Sequence, residues 1–169
     1  MIPTRKLGKT NYHATIFGLG GEGILRTSGY SKEAESVIKK AVEVGVNYFD
    51  TAPAYQQSRD YLGKFLWNHT KRENVFLASK THDRTHEGTL SLVEDSLRRL
   101  NTSYLDLLQL HDLREKGDLI EIFSGDGAIH ALKELKKQGK VRFLGITGHH
   151  DPDILIEAIR RYDFDTILL

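Results

Sequence analysis

The chain has 169 residues, 39% of them hydrophobic and 28% charged, with 24 basic against 23 acidic side chains and no cysteine. That apolar share excludes a disordered chain, and the near-zero net charge argues against a nucleic-acid or membrane-surface partner. The absence of thiols excludes disulfides, thiolate nucleophiles and thiolate metal sites, and no run approaches the ~20 apolar residues that span a bilayer. Residues 1–23 lack the apolar core of a secretion signal, so a cytoplasmic domain is expected.

In chain order, apolar and β-branched runs predict strands over Ala14–Gly18, Val46–Thr51, Asn74–Lys80, Tyr104–His111, Val141–Thr147 and Phe164–Leu169. Helical patterns separate them. Ala34, Val37, Ile38, Ala41 and Val42 recur at helical spacing, with Ser31 at the N-cap position and Gly45 as the left-handed terminator. Three further stripes follow: Tyr61, Leu62, Phe65 and Leu66; then Leu90, Val93, Leu97 and Leu100; then Ile129, Leu132 and Leu135, stopped at Gly139. The last helix opens at Asp151-Pro152, a capping residue followed by proline at the first helical position. The segment Asp112–Gly127 exceeds a usual loop between strand and helix and reads as a substrate-facing flap or a surface excursion.

LDLLQL (Leu105 to Leu110) and TILL (Thr166 to Leu169) are apolar at consecutive positions, as in parallel strands buried on both faces. The repeat is a strand–helix unit of roughly 30 residues with no linker inside it, hence a single domain over residues 1–169. An open doubly wound sheet and a TIM-type barrel both accept this series. Gly18-Leu19-Gly20-Gly21 is not the G-x-G-x-x-G dinucleotide fingerprint, which lowers the open-sheet reading.

In parallel α/β folds the chemistry sits at the carboxyl ends of the strands. Those ends carry Asp50, Lys80 and His111, with Tyr55 in the loop after Asp50. Singly, each has a structural explanation: a turn cap, a solvated terminus, a hydrogen-bonded imidazole. Together they make a proton-donating set. A phenol holds its proton at neutral pH, a neighbouring ammonium lowers its pKa, and a carboxylate can hold that ammonium in place. His111 can then bond a substrate oxygen. Such a set suits carbonyl reduction, with the hydride brought by a cofactor because no side chain carries one.

FDTAPAY (Phe49 to Tyr55), ASK (Ala78 to Lys80), LDLLQLH (Leu105 to His111) and KVRFLGITG (Lys140 to Gly148) resemble, in this order, signature segments of the aldo-keto reductase superfamily. TRKLGKTNYHATIFGLGG (Thr4 to Gly21) is similar to its N-terminal hairpin and first barrel strand, and the whole resembles the bacterial branch with a G-x-T-G-H segment. The resemblance implies an α/β fold, a parallel (β/α)8 TIM-type barrel, binding NADPH or NADH without a Rossmann fold and without a metal. It implies Tyr55 as general acid, Lys80 lowering its pKa, Asp50 paired with Lys80, and His111 orienting the carbonyl of a small-molecule substrate. Gly20, Gly21, Asp50, Thr147 and Gly148 match cofactor-binding positions. Thr147-Gly148 departs from the usual serine–asparagine pair that grips the nicotinamide carboxamide.

A complete barrel has eight strands in typically ~250 residues, whereas six strand runs are legible here. The expectation is therefore an incomplete barrel broken within the sixth strand, completed by a C-terminal remainder from the same or another polypeptide. Alone, these residues are expected to show little reductase activity. Two other functions compete: a non-catalytic regulatory or binding protein on the same scaffold, and, more remotely, a metal-dependent hydrolase using His82, His111, His149, His150, Asp112 and Asp151.

Overall fold

The computed structural model describes residues 2–169. An antiparallel hairpin comes first, β1 (Thr4–Lys6) paired with β2 (His13–Thr15). Six parallel strands follow: β3 (Leu19–Gly20), β4 (Tyr48–Asp50), β5 (Phe76–Thr81), β6 (Leu105–Leu110), β7 (Val141–Thr147) and β8 (Thr166–Leu168). Their spatial order is their chain order, β3-β4-β5-β6-β7-β8. A doubly wound sheet reverses direction at a switch point; this one never does, and that is the barrel topology.

Helices cover the outer face: α1 (Ser31–Glu43), α2 (Ser58–Phe65), α3 (His86–Arg99), α4 (Lys116–Ile122), α5 (Ala128–Lys137) and α6 (Pro152–Arg161). The apolar stripes predict five of these. Leu132 and Leu135 of α5 are fully buried, each contributing roughly 1.5–3 kcal/mol by leaving water. Asp151 caps α6, its carboxylate accepting the Asp153 N–H at 2.9 Å, with Pro152 at the first helical position. Gly45 (φ 89°) and Gly139 (φ 74°) stand in the left-handed region just past α1 and α5.

Three expectations need correction. Ser31 is the first residue of α1 rather than its cap, a place taken by Tyr30 without a side-chain hydrogen bond. The run Ala14–Gly18 is not one strand: its start belongs to β2, Ile16 and Phe17 are exposed, and the barrel strand begins at Leu19. The segment Asp112–Gly127 is no free flap. It forms α4, buries Leu113, Leu119 and Ile122 completely, and ties itself to the β5–α3 loop through His86 N–H to the Asp126 carbonyl and Ala128 N–H to the Arg84 carbonyl.

The sheet is curled into a half-barrel, and the hairpin measures the curl. Thr15 N–H donates to Asn47 Oδ1 (2.7 Å) just before β4, while Lys9 N–H donates to the Asp165 carbonyl (3.0 Å) just before β8. One hairpin thus reaches across the N-terminal ends of the strands from β4 to β8. Above it, on the concave face, the Phe76 ring meets those of Tyr12, Tyr48 and Phe143 at 4.8, 5.6 and 6.1 Å between centroids. Phe76, Ala78 and Leu107 form a small inner core here, separate from the larger core between sheet and helices.

The base of the sheet is also held by charge. Asp106 of β6, almost fully buried, pairs with Arg72 (2.7 Å) and accepts from Arg142 (3.0 Å) and the Leu77 N–H (2.9 Å). The two guanidiniums lie over the Tyr104 ring at 3.8 and 4.2 Å from its centroid. Arg72 also reaches the carbonyls of Val75 and Tyr104 and the Thr102 hydroxyl, so each of its three nitrogens has a hydrogen-bond partner.

Candidate active site

The opposite, C-terminal end of the strands gathers the ionisable residues. Parallel register sets Gly20 beside Asp50, Asp50 beside Ala78 and Lys80 beside Gln109. Lys80 stands two residues beyond Ala78, so both project from the same face of β5, toward the inner core. Its ammonium is 2% exposed as a residue and donates to Asp50 Oδ2 at 2.5 Å and to the Thr51 carbonyl at 3.0 Å.

The loop after β4 carries Tyr55 back over this pair. Its N–H donates to the Ala52 carbonyl (3.0 Å), and its carbonyl accepts from Ser58 at the start of α2 (2.8 Å). Thr51 and Ser58 hydroxyls bond each other at 2.8 Å, which pins the loop at both ends. Lys80 Nζ lies 4.8 Å from the centre of the Tyr55 ring. His111 meets the same ring edge-on, 5.9 Å between centroids at 87°. Tyr55, Lys80, Asp50 and His111 are therefore brought together, from β4, β5 and β6.

The backbone is strained directly after both rings. Gln56 has φ 38° and Asp112 φ 56°, the left-handed region that non-glycine residues rarely enter. Polar atoms without protein partners collect here as well: Asp50 Oδ1, Gln109 Oε1, Asp112 Oδ1 and Arg84 Nη1 are all buried and unpaired.

Electrostatics at this end differ from the expectation in one respect. Burial pushes the Tyr55 phenol up to about 12, and the Asp50, Glu22 and Asp112 carboxylates add to the rise. The net shift is upward, against the lowering expected from Lys80, whose ammonium is paired with the Asp50 carboxylate 2.5 Å away. Within that pair burial raises the Asp50 carboxyl and lowers the Lys80 ammonium, while each charge opposes the other's shift. Burial, followed by the Lys80 charge, pulls His111 down to about 4, which leaves its imidazole neutral at physiological pH.

The glycines and strand ends expected to face a cofactor divide into two groups. Gly20 is exposed, and a Cβ there would touch nothing. With Asp50, Tyr48, Leu19 and Leu168 it lines a cleft of about 390 Å³. Gly21 is buried, and a Cβ would run into Ser58 Oγ and the Asp50 carbonyl, so packing alone explains it. Thr147 and Gly148 already bond within the chain. Thr147 is 0% exposed, its hydroxyl accepting the Asp112 N–H at 2.8 Å and its carbonyl the Leu113 N–H at 2.8 Å. The Gly148 N–H donates to the Leu168 carbonyl (3.2 Å), leaving no N–H there for a carboxamide.

Among the described residues, no group of three or more His, Cys, Asp or Glu side chains is placed to hold a metal ion. Of the residues named for the hydrolase alternative, His150 lies 3.7 Å from Asp112. Among the same residues no helix is long and apolar enough to cross a membrane. Sequence reasoning missed Gln109 and Arg84 as parts of this end. A glutamine inside LDLLQL carried the signal, since a polar side chain in a doubly buried strand needs a reason.

Residues 16–167 match the model of the aldo/keto reductase family. L-galactose dehydrogenase of Arabidopsis thaliana is 35% identical, the match covering 87% of this chain and 49% of that protein. Among solved structures, the holo form of aldo-keto reductase AKR11C1 from Bacillus halodurans aligns with a TM-score of 0.84 at 29% identity, over 99% of this chain and 57% of that one. An aldo/keto reductase from Klebsiella pneumoniae, in complex with NADP and acetate, gives a TM-score of 0.77 at 25% identity, over 95% and 54%. The chain spans about half the length of the curated relatives it matches.

Proposed function

The chain belongs to the aldo/keto reductase family, and from that membership we propose that it carries the proton-donating half of an NADPH- or NADH-dependent reductase of small aldehydes and ketones. One observation carries the reading: a buried ammonium under the face of Tyr55 and a neutral imidazole against its edge, at the end of a parallel sheet where this topology places chemistry.

Tyr55 gives its proton to the carbonyl oxygen as that oxygen becomes an alkoxide. With its pKa near 12 the phenol stays loaded at any physiological pH, and it matches the basicity of the alkoxide it must quench better than a carboxylic acid would. His111, uncharged, donates a hydrogen bond to the same oxygen and fixes the carbonyl's direction. The Lys80 ammonium, oriented by Asp50, lies 4.8 Å from the centre of the phenol ring and offsets part of the carboxylate charge that opposes the phenolate left after transfer.

The nicotinamide supplies the hydride when bound. Gly20, with open space around it, and Asp50, with Oδ1 unpaired, fit the group and would hold it; the Thr147 hydroxyl accepts the Asp112 N–H but keeps its own O–H to donate, while the Gly148 N–H is already taken by the Leu168 carbonyl. Steady-state reduction of a generic aldehyde tests the reading. Tyr55→Phe is expected to lower kcat about 10²–10⁴-fold with little change in cofactor affinity. A variant turning over at the wild-type rate would overturn it.

A further inference from the structure

Arg84 lies in the loop after β5, ends away from the reacting rings, and yet holds the turn that carries one of them. Its Nη2 donates to the carbonyls of His111 (2.9 Å) and Asp112 (3.2 Å). Its Nε donates to Asp118 Oδ1 at 2.8 Å, and the other oxygen of Asp118 accepts the N–H groups of Arg114 and Glu115 at the start of α4. The side chain is 12% exposed.

The remaining polar groups of that turn are also tied down. The His111 N–H donates to the Thr81 carbonyl at 2.8 Å, and the Asp112 N–H to the Thr147 hydroxyl at 2.8 Å. What the turn must maintain is costly: Asp112 in the left-handed region straight after the imidazole. Arg84 itself is kept at a cost, since its Nη1 is buried without a partner. A guanidinium chosen only to fill space would be replaceable by an apolar side chain of its size. Its two working nitrogens instead join the His111 turn to the α4 cap.

We propose that Arg84, anchored by Asp118, is a positioning residue that sets the direction of the His111 imidazole. A planar fork with fixed donor directions can hold two successive carbonyls; a lysine ammonium offers no such geometry. The proposal deepens the reductase reading and rests on it for the role of His111, though its geometry can be tested independently.

The experiment compares Arg84→Met and Arg84→Lys with Arg142→Met, a control at the far end of the sheet, in the polypeptide at its natural length. Two quantities are read: the ring resonances of His111 by 1H–15N NMR, and kcat and KM. Arg84→Met is expected to shift the His111 ring signals and to lower kcat about 10–100-fold, with KM within about threefold. Arg84→Lys should fail to restore it, and guanidinium ion at low millimolar concentration should recover part of the loss in Arg84→Met. Arg142→Met should lower Tm and leave kcat alone. Should Arg84→Met not fold, Asp118→Asn takes its place, with the same shift of the His111 ring and a smaller kcat loss. Unchanged ring signals in whichever variant folds overturn the proposal, as does an equal kcat loss in Arg142→Met. If Tyr55→Phe proves as active as the wild type, the reductase reading fails, while the His111 resonances still decide the role of Arg84.

Discussion

The two ends of the sheet use the same kinds of side chain to opposite effect. At the N-terminal end one carboxylate, Asp106, takes two guanidiniums and a backbone N–H, and both cations lie against one aromatic ring. At the C-terminal end one carboxylate, Asp50, takes a single ammonium and leaves its second oxygen bare, beside two residues in strained backbone. Full satisfaction is what stability selects; incomplete satisfaction and strain are what a reaction site tolerates and the rest of the fold must offset.

That contrast can be broken or sharpened by substitution. Removing the carboxylate at the base, Asp106→Ala, leaves Arg72 and Arg142 facing each other beside Tyr104. The expected loss is about 3–5 kcal/mol in urea unfolding, with kcat per folded molecule unchanged. At the mouth the sign should reverse. The double variant Asp50→Asn, Lys80→Met removes both buried charges, and stability is expected to hold or to rise by about 1–4 kcal/mol while reductase activity disappears. A loss of stability as large as that of Asp106→Ala would erase the distinction between the ends.

Adjacent glycines give a finer cut. Gly21→Ala is expected to cost about 1–3 kcal/mol, because its methyl group meets Ser58 and the Asp50 carbonyl, whereas Gly20→Ala should stay within about 0.5 kcal/mol. Cofactor titration by fluorescence should show the reverse ranking, with Gly20→Ala the variant that folds normally and binds more weakly.

The smallest effect expected is an acid one. His111 titrates near 4 in the folded protein against about 6.5 in an unfolded chain. The folded state resists taking up the proton, so its contribution is complete above pH 6.5 and is lost as pH falls toward 4. The imidazole is half-buried and partly screened by solvent, which keeps the contribution modest. Urea midpoints measured from pH 7 to pH 4 should fall less steeply in His111→Gln than in the wild type.

The alternation of strands and helices, and the four residues at the strand ends, were legible in the sequence because each rests on a local pattern. LDLLQL can be little else than a doubly buried strand, and Asp151-Pro152 little else than a helix start. Where several forces met, the reading failed. Ile16 and Phe17 look like strand core, yet the chain crosses there from hairpin to sheet and both stay exposed. With only seven residues and two buried apolar positions, α4 gives too short a period to detect, and its order comes from Asp118 and Arg84, thirty-odd positions apart. The electrostatic expectation for Tyr55 paired Lys80 with Asp50 but left out the burial of the phenol, which raises its pKa. Only the fold reveals that burial, or that Thr147 and Gly148 bond to Asp112, Leu113 and Leu168.

The hairpin that runs beneath the strands has a temporal consequence. Residues 4–15 leave the ribosome well before the carbonyl that receives Lys9, which belongs to Asp165. Closing that contact requires a loop of more than 150 residues, so it must follow the local pairings of each strand with the next. The hairpin, made before the sheet, thus waits, and seals the floor when the sheet above it has already formed.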